Sequence, residues 1–118
     1  MVDKKKSIGF QFAWNGLREV LKSEWNFRLH IVSMVVVIIA GLMFGITLVE
    51  WVSVVTVIGL VLTTEILNTA IEEVIDYIKP EIHPAAKKVK DIAAASVFVA
   101  SMTALVVGLI IFIPRLFA

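Results

Sequence analysis

The sequence predicts an all-α integral membrane protein, with three transmembrane helices preceded by an amphipathic helix on the membrane surface. Composition is the first observation: of 118 residues, 59% are hydrophobic and 18% charged, and the mean hydropathy of +0.95 lies far from the soluble-globular norm. The second is a pair of uncharged stretches at residues 31–49 and 92–114. Each matches the ~20 helical residues that cross a bilayer. The third is a shorter uncharged stretch, 51–64, which continues as one helix through Glu65, Asn68, Glu72 and Asp76 until Pro80 stops it. The length allows one domain over residues 1–118, and neither repeat nor low-complexity segment divides it.

The first element is a surface helix over residues 7–28. Phe10, Trp14, Leu17, Leu21 and Trp25 recur at spacings of four, three, four and four, while Gln11, Asn15, Arg18, Glu19 and Lys22 fall elsewhere on the wheel. That is the pattern of a helix lying in the headgroup plane. Trp14 and Trp25 belong to one interface and Trp51 to the other. The transmembrane helices follow at 31–49, 51–78 and 92–113, with a loop at 79–91. Lys4, Lys5, Lys6, Arg18, Lys22 and Arg28 precede the first span, and Lys79, Lys87, Lys88 and Lys90 follow the second. By the positive-inside rule the N-terminus and the 79–91 loop are cytoplasmic, with Arg115 the exception outside. No cleaved secretory signal is expected, because the Lys-rich start leads into a mixed polar stretch. The third span carries Ala93, Ser96, Ala100, Thr103 or Ala104, and Gly108 at helical spacing, a face suited to close helix packing.

Several classes of chemistry are excluded. Without cysteine there is no disulfide scaffold and no thiolate metal site, and six scattered glycines form no phosphate loop. A net charge of +1 gives no ground for a nucleic-acid partner.

Glu65, Asn68, Glu72 and Asp76 are separated by three, four and four residues, so they share an arc of about 80° on one helix face. Glu73 points elsewhere. An ionisable group deep in the bilayer costs about 2.5–3.5 kcal/mol, so such a face has a use. Glu65 lies about 16 Å deeper than Asp76 at the helical rise of ~1.5 Å per residue. A proton or cation path, polar glue between subunits, and a metal and general-base site are the three readings. The path lacks support from the other spans, which hold no ionisable side chain and no broken helix. The catalytic reading gains from the adjoining loop, where Glu81, His83, Lys87, Lys88, Lys90 and Asp91 accumulate. Carboxylates with nearby lysines suit a magnesium-bound polyphosphate such as ATP.

The run Glu65-Ile66-Leu67-Asn68-Thr69-Ala70-Ile71-Glu72, with Asp76 after it and Lys90-Asp91 before the third span, resembles the small prokaryotic diacylglycerol kinase family. The resemblance covers nearly the whole chain, including Trp14-Asn15-Gly16-Leu17-Arg18, Glu24 followed by Asn26-Phe27-Arg28, and Ala93-Ala94-Ala95. Asn26-Phe27-Arg28-Leu29-His30, His83-Pro84-Ala85-Ala86-Lys87 and the segment from Gly108 to Pro114 look like the Gram-positive branch, whose members are chiefly undecaprenol kinases. Phe12 is a departure, standing where the better-known Gram-negative members of the family carry a tyrosine near the nucleotide.

The resemblance implies a homotrimer in the bacterial plasma membrane, with active sites shared between subunits. It makes Glu65 the general base towards the lipid hydroxyl, and Glu24 and Glu72 the residues that bind Mg²⁺ with ATP. Glu81, Ile82, His83, Lys90 and Asp91 contact the nucleotide, with Asn68 and Asp76 supporting the site. The expected reaction is phosphorylation of undecaprenol to undecaprenyl phosphate. Diacylglycerol is the alternative substrate, and a non-enzymatic helical subunit, its acidic face serving as glue, is the alternative of another class.

Overall fold

The computed structural model describes residues 8–78 and 83–117. Four helices follow one another: α1 (Ile8–Ser23), α2 (Trp25–Phe44), α3 (Leu48–Ile78) and α4 (Pro84–Leu116). The last three are long and apolar enough to cross a membrane. α1 is the short amphipathic helix ahead of them.

Both ends of α2 and of α4, the end of α1 and the start of α3 differ from the sequence reading, and local geometry accounts for the main shifts. The surface helix ends at Ser23, whose hydroxyl bonds back to the Glu19 carbonyl at 2.9 Å. Glu24 then adopts an extended conformation (φ −112°, ψ 111°) and α2 starts at Trp25. Trp25 continues the apolar spacing of α1, which is why periodicity ran through the break. The turn after α2 is set by Gly45, left-handed at φ 63°. Thr47 and Glu50 next form a reciprocal capping box, with Thr47 N donating to Glu50 Oε1 at 2.9 Å and Glu50 N to Thr47 Oγ1 at 3.2 Å. α3 therefore begins at Leu48, ahead of the expected 51. α4 begins at Pro84, so residues 84–91, expected as loop, are helical. Proline is suited to the first helical turn, and the His83 ring caps it, its Nδ1 accepting from Ala85 N at 3.0 Å.

α3 and α4 form the main intrachain contact, with α2 leaning on α3 and α1 lying against α2 and α3. Ala93 and Ala100, from the small-residue face, are buried. The densest packing lies towards the α2–α3 turn, where Ile46, Val54 and Ile111 meet Val37, Trp51 and Phe112. Arg115 closes that end with two hydrogen bonds to Glu50, at 3.0 and 2.7 Å, joining the last turn of α4 to the first of α3.

Little of the apolar surface is covered within the chain. Only 11% of the most apolar window of α2, 22% of that of α3 and 11% of that of α4 is buried. The extents of 54 × 41 × 21 Å and radius of gyration of 17.6 Å describe a thin, open layer, against roughly 13–14 Å for a compact globule of this length. An internal core does not cover these helices, and three of them have the length and apolarity to cross a membrane.

Candidate active site

α3 presents the acidic row as a gradient of burial. Glu65 is 3% exposed and Asn68 is buried, Glu72 is half-buried, and Asp76 is exposed. Glu73 lies off the row, facing a separate cleft that Glu19 and Ser23 of α1 also line. One helical face thus runs from protein interior to open surface.

Around that face the fold assembles charges from two other segments. The Glu72 carboxylate lies within the fields of Glu24, Lys90 and Glu65. Glu24 caps α2 with its backbone geometry and makes no side-chain cap bond. Lys90 Nζ lies 2.5 Å from Asp76 Oδ1, and this carboxylate holds the ammonium above the ordinary lysine range. Lys90 precedes the apolar part of α4, which begins at Ile92.

The remaining expected contacts are arranged differently. Asp91 pairs along its own helix with Lys87 at 2.7 Å, and both are exposed. His83 is exposed and engaged as the α4 cap. Glu81 and Ile82 lie outside the described residues.

Sequence reasoning missed His30. The first span was read from residue 31, leaving this histidine outside it, yet α2 starts at Trp25 and carries His30 in its second turn. Its Nε2 stands 3.5 Å from Glu65 Oε1. An ionisable residue flanking an apolar run was the available signal. His30 also borders an apolar cleft of about 400 Å³ between α2, α3 and α4, with Val37, Val61, Ala104 and Gly108 among its walls.

The donor chemistry suits Mg²⁺ delivered with phosphates. That ion uses one or two carboxylates together with phosphate and water oxygens. Glu24 and Glu72 supply carboxylates, and the buried Asn68 Oδ1 has no hydrogen-bond partner. Among the described residues, no three His, Cys, Asp or Glu side chains converge into a cage. The fit is therefore to a metal arriving with polyphosphate, not to a site built by protein alone.

Comparison with known proteins bears on the same residues. The family model described as prokaryotic diacylglycerol kinase matches residues 11–112. The chain is 37% identical over 107 residues to an undecaprenol kinase of Bacillus subtilis, covering 91% of this chain and 87% of the relative. It is 33% identical to a diacylglycerol kinase of Synechocystis, covering 92% of this chain and 63% of the relative. A diacylglycerol kinase of Escherichia coli K12 is 30% identical over 95 residues, 80% of this chain and 78% of the relative. Because the match runs from α1 through most of α4 and contains every charged side chain of the acidic face, the chain belongs to the prokaryotic diacylglycerol kinase family.

Proposed function

We propose that this lipid kinase transfers the γ-phosphoryl group of ATP to the hydroxyl of undecaprenol, giving undecaprenyl phosphate. The observation that carries the reading is the burial of Glu65 at the deep end of the acidic row, facing His30, which lines the apolar cleft between the helices. A lipid alcohol needs such a junction, with its chain in an apolar environment and its hydroxyl beside a carboxylate. The relative named undecaprenol kinase supports the polyprenol, and those named diacylglycerol kinase support diacylglycerol as the second reading.

In the proposed reaction, Glu65 accepts the hydroxyl proton as the lipid oxygen bonds to the γ-phosphorus and the bond to the β–γ bridging oxygen breaks. Glu24 and Glu72 would hold Mg²⁺, which neutralises phosphate charge when bound. Lys90 offers a cation to the nucleotide, and Asp76 fixes where that cation stands. Asn68 keeps a free acceptor between Glu65 and Glu72. Positioning and charge supply most of the rate, because the loose transition state asks little covalent chemistry of the protein. The nucleotide side, with the N-terminus and the segment between α3 and α4, is cytoplasmic.

The active assembly is a homotrimer with shared sites. Thr56, Gly59, Thr63 and Ala70 are exposed on the face of α3 roughly opposite the acidic row. Small residues there let helices approach closely. Asp91 and His83 being turned to their own helix is consistent with a site completed from a neighbour.

The test is transfer of labelled γ-phosphate from Mg-ATP to undecaprenol and to diacylglycerol in mixed micelles, comparing wild type with Glu65→Gln. Faster transfer to undecaprenol, lost in the variant, supports both substrate and base. Preference for diacylglycerol moves the substrate to the second reading.

A further inference from the structure

We infer that His30 is a positioning residue for the Glu65 carboxylate, holding one of its oxygens so that the other meets the lipid hydroxyl. The inference rests on the reading of Glu65 as proton acceptor and adds a residue that this reading does not contain.

A carboxylate that is 3% exposed is costly without a compensating donor. On α3 itself, Thr69 Oγ1 donates to the backbone carbonyl of Glu65, at 3.0 Å, and so does not serve the carboxylate. His30 Nε2, at 3.5 Å from Oε1, is the side-chain cation or donor that α2 brings to it. A small rotation of either side chain closes that separation to a hydrogen bond. The interaction asks only for a proton on Nε2, which both the imidazolium and one neutral tautomer carry.

Location gives the second argument. His30 is 26% exposed by its side chain and borders the apolar cleft, whose lining is otherwise hydrophobic apart from Ser33 and Ser101. A hydroxyl approaching Glu65 from that cleft arrives on the His30 side. The groups assigned to nucleotide and metal, Glu24, Glu72 and Lys90, belong to the other end of the acidic row. His30 therefore acts on the lipid half of the reaction through the orientation of Glu65. A misplacement of a reacting group by about 1 Å is enough to cost about 10²-fold in rate.

The experiment measures kcat, KM for Mg-ATP and KM for the lipid alcohol in the purified full-length protein. Wild type is compared with His30→Leu, His30→Gln, His30→Asn, Glu65→Gln and the double variant His30→Leu with Glu65→Gln. The Gln amide reaches about as far as Nε2, whereas the Asn amide stops short, near the position of Nδ1. Expected results are a fall in kcat of about 10²-fold for His30→Leu, a similar fall for His30→Asn and recovery of most of the rate by His30→Gln. KM for Mg-ATP stays within about 2-fold, and His30→Leu adds nothing in the Glu65→Gln background. Equal loss in the Gln and Asn variants overturns the inference, as does full activity of His30→Leu beside an inactive Glu65→Gln. If Glu65→Gln itself turns over at near wild-type rate, the base assignment fails, and this inference falls with it. Should His30→Leu not assemble, the contrast between Gln and Asn still decides.

Discussion

Lys90 of α4 and Asp76 of α3 are joined at 2.5 Å, and among the described residues this pair places a cation in the field of Glu72. Because Asp76 raises the Lys90 pKa, the stabilisation from the pair is complete below the unfolded lysine value of about 10.4. It is lost only as pH rises through the higher folded value. Between pH 6 and 9 the ammonium keeps its charge, so any change of rate in that window has another source.

Replacing Lys90 by Met is expected to raise KM for Mg-ATP by about 10- to 100-fold, the range of a lost charge-assisted hydrogen bond of about 1.5–3 kcal/mol. Asp76→Asn is expected to have a smaller effect in the same direction, since it frees the cation without removing it. Steady-state kinetics at saturating lipid alcohol separates the two. Equal KM values in wild type and Lys90→Met would remove Lys90 from the nucleotide site.

Gly41 is where the turn end of the molecule tolerates no side chain. A Cβ there would lie 2.8 Å from Trp51 Cη2 and 3.1 Å from Ile46 Cδ1. Overpacking of this kind costs about 1–3 kcal/mol. Gly41→Val is therefore expected to lower the thermal midpoint of the detergent-solubilised protein while leaving KM for both substrates unchanged. An unaltered midpoint would show that α2 can lean away from Trp51 at no cost.

Much of this fold was legible because its helices announce themselves by uninterrupted apolar length. The acidic row was legible because its three-four-four spacing fixes a helix face without knowledge of any neighbour. What escaped depends on direction changes and on contacts between helices. Periodicity carried the surface helix through Glu24, since Trp25 continues the stripe although the backbone turns there. His30 is a similar case, because its meaning comes from the register of α2 against α3, which neither segment encodes alone. Arg115, which stood as an exception to the charge rule, is explained by Glu50 at the start of a different helix.

Gly59 tests the assembly independently of the fold. Nothing lies within 4 Å of a Cβ built there, so the isolated chain accepts a larger side chain at that position. If the exposed Thr56, Gly59 and Thr63 stripe is a subunit contact, Gly59→Leu blocks the close approach that small residues permit. Chemical cross-linking in membranes is expected to show trimer reduced in Gly59→Leu and retained in a control at an exposed position of another helix, such as Val36→Leu on α2. Identical cross-linking in both would move the contact to another face of the bundle.

Glu65 and Glu72 sit two turns apart on one helix, yet their surroundings differ, and the work proposed for them differs accordingly. Glu65 is buried and faces His30, which borders the apolar cleft, whereas Glu72 is half-buried and shares its field with Glu24 and Lys90. Glu65→Gln is thus expected to lower kcat by about 10²- to 10⁴-fold, the range of a lost general base, without altering the Mg²⁺ concentration needed for half-maximal rate. Glu72→Gln is expected to raise that concentration by roughly tenfold or more, as removal of a charged ligand from a metal held by one or two carboxylates requires. Titrating Mg²⁺ at fixed ATP for both variants reads the two effects on one axis. A shared change in the Mg²⁺ midpoint would make the row a single metal site, and the proton acceptor would then have to be sought among the other groups beside the cleft.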